Sequence, residues 1–419
     1  MSDEGQRVTR VSRTTTEKLR LAYFSPLPPA RSGIADYSIE LLPALAAHVS
    51  PVLYTPDPGG VSPTVRRQYD VRPLAGYREE RWQFDVTLYQ MGNSKHHEPF
   101  YRLMSRYPGI MVLHDYVLHH FVAHRTVGRD DFAGFTREMG YVLGPDGVTE
   151  AWAIRRGLAE HQLSAQPLNR RAVALSLGLL VHSRYVQQQL QAAGAPCPVR
   201  RVPAPIALRQ GKPRRADLQW PPDALILASL GQMTTAKQLE RSLRAFARLR
   251  TKWPLARYLI VGEALPEVDL PRLLAELNVG DSVHTTGYVE ALDEFVDWLA
   301  TADVVLNLRH PTLGETSATA LRALAAGRAL VVNDAGWYAE LPDDAVVKVP
   351  TQDDRALQQA LETLAAQPER RRQLGERARA YAAAHHAPQK AAISYVAAIM
   401  DIMQQSVWQG RLPQQGQHV

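Results

Sequence analysis

The sequence has almost no cysteine: Cys197 is the single one among 419 residues. One cysteine cannot build an intrachain disulfide framework or a cysteine-based metal site. Its scarcity suits a reducing compartment, so we expect a cytoplasmic protein. No apolar run is long enough to cross a bilayer, and the polar stretch Met1 to Lys18 lacks the hydrophobic segment of a secretory signal. The sequence therefore excludes a disulfide scaffold and predicts no membrane span.

A large excess of one charge is also missing. The formal net charge is +6, and the arginines that dominate it are spread along the chain. Nucleic acid is therefore not expected as a partner. A basic cleft for a phosphorylated substrate fits, and so does a face that makes peripheral contact with an anionic membrane. With 45% hydrophobic and 21% charged residues, the chain can build two domains with sizeable cores.

Several catalytic motifs are absent. There is no G-x-S-x-G elbow for a Ser-His-Asp hydrolase and no G-x-G-x-x-G dinucleotide fingerprint. His120 and His124 have the i, i+4 spacing that could place two imidazoles on one helix face beside His119. No third ligand with a recognisable metal motif follows, which favours histidines that line a pocket or the surface.

The stretch from Asp303 to Glu340 is typical of a βα unit. A buried strand over 303–308 leads into a loop, and Thr316 or Ser317 can cap a helix that Gly327 ends. Free backbone N–H groups at such a helix start, on the carboxyl side of a parallel sheet, bind phosphates. An ordinary crossover without a ligand explains this stretch equally well.

The first half of the chain contains similar units. A strand over 19–24 passes through a proline-rich loop to Gly33, where a helix begins and a ligand could approach the backbone closely. A simple tight turn is an equal alternative for Gly33. Two further strands end in polar residues, which predicts a pocket rim. These residues are Asn93 and His97 after one strand, and His114 and Asp115 after the next.

A proline-rich stretch over 202–222 separates this half from a second alternation of strands and helices. The alternation predicts a doubly wound parallel sheet. Lys237 lies where a strand passes into a helix, so its ammonium could neutralise a phosphate; the alternative is a lysine in water. We predict a disordered tail over 1–18, Rossmann-like domains over 19–207 and 208–384, and a helix over 385–410 that packs back on the first domain, with Arg411 to Val419 disordered.

An ordered set of motifs resembles the retaining family 4 glycosyltransferases across residues 19–405. The set comprises Ser-Gly-Ile-Ala at 32–35, Leu-His-Asp at 113–115, His-Ser at 182–183, Lys237, Pro-Thr-Leu-Gly-Glu-Thr-Ser at 311–317 and Ala-Leu-Arg-Ala-Leu-Ala-Ala-Gly at 320–327. Glu340 also lies where that family often has a glutamate. The resemblance implies the GT-B fold, two Rossmann-like domains that face each other across a cleft.

It further implies transfer of a sugar, with retention and without a metal or other cofactor, from a nucleotide-diphosphate-sugar to a polysaccharide, lipid-linked or small-molecule acceptor. The catalytic residues would be His114 near the donor sugar, Lys237 and Glu315. The other implied roles are diphosphate binding by Gly33, Lys237, Thr316, Ser317 and Ala318, a nucleotide or sugar pocket of Gln232, Glu263 and Arg322, and an acceptor side of Asn93, His97 and Asp115.

The chain departs from the family pattern at two places. The family's paired glutamates align with Gly314 and Arg322, although Glu315 is adjacent and can take the first role. An arginine usual near Lys237 is replaced by Gln232. These changes leave two other hypotheses open, an epimerase-like GT-B enzyme and a non-catalytic module in a glycan-assembly complex.

Overall fold

The computed structural model describes residues 18–162, 164 and 166–405. The predicted tails over 1–18 and 411–419 lie outside the described part apart from Lys18, and so do the last residues, 406–410, of the predicted C-terminal helix. Within the described residues no helix combines the length and apolar character that crossing a bilayer requires.

The first half of the chain forms a sheet of seven parallel strands in the order β3-β2-β1-β4-β5-β6-β7. The strands are β1 (Leu19–Phe24), β2 (Val49–Thr55), β3 (Asp70–Pro73), β4 (Val86–Met91), β5 (Ile110–Leu113), β6 (Gly178–Val181) and β7 (Val199–Arg201). The helices are α1 (Gly33–Leu45), α2 (Pro63–Gln68), α3 (Tyr77–Glu80), α4 (Glu98–Met104), α5 (His119–Arg125), α6 (Phe132–Leu143), α7 (Pro145–Arg155), α8 (Arg170–Ala174) and α9 (Arg184–Ala192).

The second half forms a sheet of six parallel strands in the order β10-β9-β8-β11-β12-β13. The strands are β8 (Ile226–Leu230), β9 (Arg257–Val261), β10 (Val283–Thr285), β11 (Val304–Asn307), β12 (Ala329–Asn333) and β13 (Val347–Val349). The helices are α10 (Leu239–Arg250), α11 (Leu270–Glu276), α12 (Leu292–Thr301), α13 (Ala318–Ala325), α14 (Asp354–Ala366), α15 (Pro368–His385) and α16 (Pro388–Gln404).

Two parallel sheets with helices confirm the predicted doubly wound architecture. Strands β5, β6, β11 and β12 are buried along their whole length, which explains why the sequence shows continuous apolar runs there rather than alternation. The last helix, α16, packs on α1 of the first half, where the hydroxyls of Tyr37 and Tyr395 are hydrogen bonded. One buried apolar cluster therefore contains side chains from both halves.

One predicted helix is shorter than expected. The sequence over 148–161 looks helical and polar, which predicts a helix through residue 161, but α7 ends at Arg155. Gly157 adopts a left-handed φ of 68°, and Leu158 donates its backbone N–H to Ala153 O at 2.9 Å. The left-handed turn at Gly157 ends the helix, because it lets the Leu158 N–H hydrogen bond the Ala153 carbonyl, which another helical turn would otherwise have done.

The carboxyl edges of the two sheets face each other. The backbone N–H of Val117, after β5, donates to Leu313 O, after β11, at 2.9 Å. Strand order changes direction between β1 and β4 in the first sheet and between β8 and β11 in the second. Ligands of doubly wound sheets bind in the crevice outside such switch points, so the two crevices open toward one shared cleft.

Candidate active site

Lys237 lies at the switch point of the second sheet. Strand β8 ends at Leu230, Gly231 turns the chain with a φ of 85°, and a short 3-10 turn over Thr235–Lys237 precedes α10. This route folds the lysine back over the end of its own strand. Its Nζ donates to the backbone O of Leu230 at 2.5 Å.

The surroundings of Lys237 disfavour a free ammonium. Burial and, to a smaller extent, the nearby guanidinium of Arg309 lower the pKa of Lys237 to about 7, while the carboxylate of Glu315 opposes the change. A lysine held near neutrality in a cleft can gain or lose charge in response to what binds beside it.

The start of α13 adjoins Lys237. A Cβ placed on Gly231 would lie 2.7 Å from Lys237 Nζ and 3.4 Å from Thr319 Oγ1, in the first turn of α13. Ser317 caps that helix, as the sequence predicts, because its Oγ accepts from the Ala320 N–H at 3.2 Å. The ammonium and the helix N-terminus thus present positive charge to the same space.

The loop before α13 is fixed by Glu315. One carboxylate oxygen of Glu315 accepts from the Leu313 N–H at 2.7 Å and from Thr312 Oγ1 at 3.4 Å. The other lies 2.6 Å from Arg309 Nε. Glu315 therefore stabilises its own loop, which positions Thr316, Ser317 and Ala318.

A second helix N-terminus belongs to the first domain. Ser32 caps α1 by accepting from the Ile34 N–H at 3.2 Å, and Gly33 begins the helix. Gly33 is exposed, and a Cβ there would meet no atom within 4 Å. The space in front of α1 is open to a ligand.

Arg322 joins these two helices. Its Nη2 lies 2.9 Å from Glu40 Oε1 of α1, and both side chains are buried. The other Glu40 oxygen accepts from the Ala207 N–H at 3.2 Å. The structure therefore gives Arg322 a partner on α1, and its role in a nucleotide or sugar pocket stays a prediction.

His114 lies at the end of β5 in a buried ring of aromatic side chains. Its Nε2 is 2.7 Å from Gln90 Oε1, and its ring centroid is 4.6 Å from that of Tyr37 and 5.2 Å from that of His182. Burial and the neighbouring His182 and His97 hold the pKa of His114 well below its usual value. The imidazole is therefore neutral at pH 7.

The structure brings the three predicted acceptor-side residues together. The Asn93 N–H donates to Asp115 Oδ2 at 2.8 Å, and a Cβ on Gly92 would lie 3.1 Å from both Asp115 Oδ2 and His97 Nε2. Burial lowers the pKa of His97 to about 4. Burial and Glu315 raise the pKa of Asp115 to about 6, so this carboxyl group responds to charge across the cleft.

The remaining predicted site residues, Gln232 and Glu263, lie on two neighbouring loops of the second sheet. Gln232 and Glu263 have exposed side chains on the loops after β8 and β9, where the Met233 N–H donates to Glu263 O at 2.8 Å. His120 Nδ1 is 2.9 Å from Asn93 Nδ2. No cluster of three metal-ligating side chains occurs within residues 18–162, 164 and 166–405.

Sequence reasoning missed several polar residues that line the cleft. Arg309 and Tyr338 lie beside Glu315 and Ser317, and Gln90 lies beneath His114. Glu340, which the sequence analysis named without a role, accepts from the backbone N–H groups of Arg184 and Tyr185 at the start of α9, at 3.0 and 2.7 Å. Arg309 and Gln90 could have been found, because each lies at or just after the end of a predicted strand.

Comparisons with known proteins agree with this architecture. The family model for glycosyl transferases group 1 matches residues 212–381. No curated protein sequence is significantly similar to the chain.

Three solved structures have a similar fold. Sucrose-phosphate synthase from Thermosynechococcus elongatus has a TM-score of 0.64 at 17% identity, covering 92% of this chain and 99% of its own. Anabaena HepE, in complex with UDP, has a TM-score of 0.66 at 14% identity, covering 91% and 100%. A glycosyltransferase from Rickettsia africae has a TM-score of 0.60 at 12% identity, covering 93% and 100%.

The matched domain contains the switch point with Lys237, Arg309 and the capped helix α13. The shared fold extends over both sheets. The chain is a two-domain glycosyltransferase of the GT-B fold, and its residues 212–381 form a glycosyl transferases group 1 domain.

Proposed function

We propose that the protein transfers a sugar from a nucleotide-diphosphate-sugar to a hydroxyl acceptor, with retention of the anomeric configuration. The observation that carries the proposal is the partly buried Lys237 beside the capped N-terminus of α13 at the switch point. A leaving diphosphate develops negative charge as the glycosidic bond breaks, and preorganised positive groups stabilise that charge. HepE, which shares this fold, binds UDP.

Positive charge at this site comes from the protein. Lys237, the amides of Thr316, Ser317 and Ala318, and the N-terminus of α1 at Gly33 would surround the diphosphate. We therefore propose a metal-independent reaction in which these groups perform the neutralisation that a divalent cation performs in other transferases.

The groups on the first domain would face the sugar and the acceptor. His114 is neutral and only partly buried, so it can exchange hydrogen bonds with sugar hydroxyls without adding a charge. Asp115, with its raised pKa, would hydrogen bond an acceptor hydroxyl beside Asn93 and His97. A polysaccharide, a lipid-linked glycan or a small molecule could supply that hydroxyl.

Thermal unfolding in the presence of UDP-, GDP- and ADP-linked sugars tests the proposal. We expect one nucleotide class to raise the melting temperature, with or without a chelator, and Lys237→Met to abolish that rise. Lys252→Met is the matched control, because Lys252 is an exposed lysine that pairs with Glu362 outside the cleft. Absence of a melting-temperature shift with all three classes would contradict the proposal. A shift that appears only when a divalent metal is present would contradict the proposed metal independence.

Anomeric configuration is a separate measurement. The product formed with the nucleotide-sugar that binds should show, by NMR, the same anomeric configuration as the donor. An inverted product would refute retention while leaving the donor site intact.

A further inference from the structure

We infer that Arg309 is a second diphosphate-binding side chain, which contacts the leaving group together with Lys237. The inference rests on the proposed function, because it names a further contact to the same ligand. Arg309 follows β11, and Lys237 follows β8, so the two cations approach from opposite sides of the switch point.

The backbone and side chain of Arg309 are both fixed. Its backbone N–H donates to Asn333 Oδ1, at the end of β12, at 2.6 Å. Its Nε lies 2.6 Å from Glu315 Oε1, and the buried Tyr338 hydroxyl lies beside the guanidinium. The side chain is only 18% exposed, so it is held toward the interior of the crevice rather than extended into solvent.

The contacts of Arg309 leave part of its guanidinium without a partner. An arginine carries five N–H donors. Glu315 forms an ion pair with the guanidinium and the Tyr338 hydroxyl lies beside it, yet the buried Nε has no hydrogen-bond partner within the described part of the chain. Buried polar groups are normally hydrogen bonded, and a guanidinium matches two oxygens of a phosphate in a bidentate arrangement.

The charges at the switch point also favour the binding of an anion. Lys237 and Arg309 are both partly buried, and Glu315 is the carboxylate that acts on both of them. Its oxygens are already shared with Leu313 and Thr312. Asp115, across the cleft, also acts on Arg309, although burial and Glu315 raise the pKa of Asp115 to about 6. A diphosphate would add negative charge beside Arg309 and favour the charged form of Lys237.

A purely structural role for Arg309 predicts a different pattern of effects. If Arg309 only held Glu315 and its loop, its loss would weaken every ligand of the crevice. A direct phosphate contact predicts a loss confined to ligands that carry the diphosphate. The ratio of diphosphate to nucleoside affinity therefore separates the two roles.

Calorimetric titration with UDP, GDP and ADP, and with the nucleoside of whichever base binds, measures this ratio. We expect Arg309→Gln to weaken diphosphate binding by about 10- to 100-fold, the range for hydrogen bonds to a charged group, and to leave nucleoside affinity within about twofold. Arg309→Lys keeps the positive charge but lacks the planar guanidinium that can donate two parallel hydrogen bonds. It should therefore lose less diphosphate affinity than Arg309→Gln. Arg244→Gln, an exposed arginine of α10 that pairs with Glu240, is the matched control and should bind as the unaltered protein does.

Three outcomes overturn the inference: an equal loss for diphosphate and nucleoside in both Arg309 variants, no loss in either, or a loss of the same size in Arg244→Gln. Failure of the unaltered protein to bind any of the three diphosphates contradicts the proposed function itself. Normal binding by the unaltered protein and by Arg309→Gln contradicts only the role of Arg309.

Discussion

Lys237 is partly buried, and removing an ammonium from water costs free energy that a nearby anion can recover. In the free protein the surroundings of Lys237 lower its pKa to about 7, and Arg309 opposes its charge more than Glu315 supports it. The groups that act on it are thus one cation and one carboxylate. A diphosphate would add negative charge and raise the pKa again, which couples ligand binding to proton uptake.

The first prediction follows from that coupling. Affinity for a nucleotide-sugar should be highest below pH 7, where the ammonium is already present, and should fall as pH rises above 7, by at most about tenfold per pH unit. A nucleotide-sugar is used because its diphosphate does not titrate in this range. Calorimetry at pH 6 to 9, in buffers of different ionisation enthalpy, should show proton uptake above pH 7.

Lys237→Met removes the titrating group and serves as the comparison. Its weaker binding should change little between pH 6 and 9. A steep decline that persists in this variant would assign the pH dependence to another group and refute the role given to Lys237.

At the scale of single elements, α13 and the loop before it order the crevice. Ser317 caps α13 and also accepts from Asn307 Nδ2 at 2.8 Å, which ties the helix start to the end of β11. Gly314, with a φ of 77°, passes against Tyr116 of the first domain. The cap and the glycine therefore fix where the helix amides point.

Ser317→Ala tests the cap. Loss of a cap costs about 1 kcal/mol, and the buried Asn307 amide left without its acceptor adds a similar amount, so the free energy of unfolding should fall by about 2 kcal/mol. Nucleoside diphosphate affinity should fall as well, because the helix amides lose their fixed direction. Denaturant titration and calorimetry measure the two effects.

Asp353→Ala is the control for this prediction, since Asp353 caps α14 in the same domain. It should destabilise the protein by about 1 kcal/mol and leave nucleotide affinity unchanged. Equal affinity losses in the two variants would show that general destabilisation, and not the position of α13, controls binding.

Gly314→Ala tests the loop. A Cβ there would lie 2.4 Å from Tyr116 Cβ in a left-handed backbone conformation, so we expect a destabilisation of about 2 to 4 kcal/mol. Gly194→Ala separates the two causes, because Gly194 has a φ of 69° with no atom within 4 Å of its Cβ position. The free energy of unfolding of that control should fall by only about 1 to 2 kcal/mol, the cost of the left-handed backbone conformation. Equal losses in the two variants would remove the steric argument.

At the scale of the whole molecule, three contacts hold the cleft edges together. Arg322 pairs with Glu40, Glu340 caps α9, and the backbones of Val117 and Leu313 are hydrogen bonded. These contacts join helices and loops that carry the candidate site. The relative position of the two domains is therefore part of the site.

Arg322→Met tests this arrangement. It leaves the buried Glu40 carboxylate without this cation, so the free energy of unfolding should fall by about 3 kcal/mol or more. The double variant Glu40→Gln with Arg322→Met should recover most of that loss, because no buried charge is then left unpaired. Arg272→Gln breaks an exposed pair with Glu276 and should cost no more than about 0.5 kcal/mol. Denaturant titration measures all three, and a double variant as unstable as Arg322→Met would contradict the pairing.

Much of the fold could be predicted from the sequence because its causes are local. Continuous apolar runs bounded by Gly and Pro predict buried parallel strands, and Ser183 and Ser317 are predictable caps because a serine hydroxyl reaches a backbone N–H three residues on. Lys237 could be proposed as a phosphate ligand from its place after a strand. The predicted helix over 148–161 was wrong beyond Arg155, since a left-handed glycine outweighs helical spacing.

The sequence by itself determined the order of strands and helices, the helix caps and the placement of polar residues at strand ends. Only the tertiary structure decided which of those polar residues meet. Arg322 pairs with Glu40, 282 positions earlier, and Glu340 caps a helix 155 positions earlier. Such pairings arise from how two sheets pack across a cleft, and no local pattern encodes the partner of a buried charge.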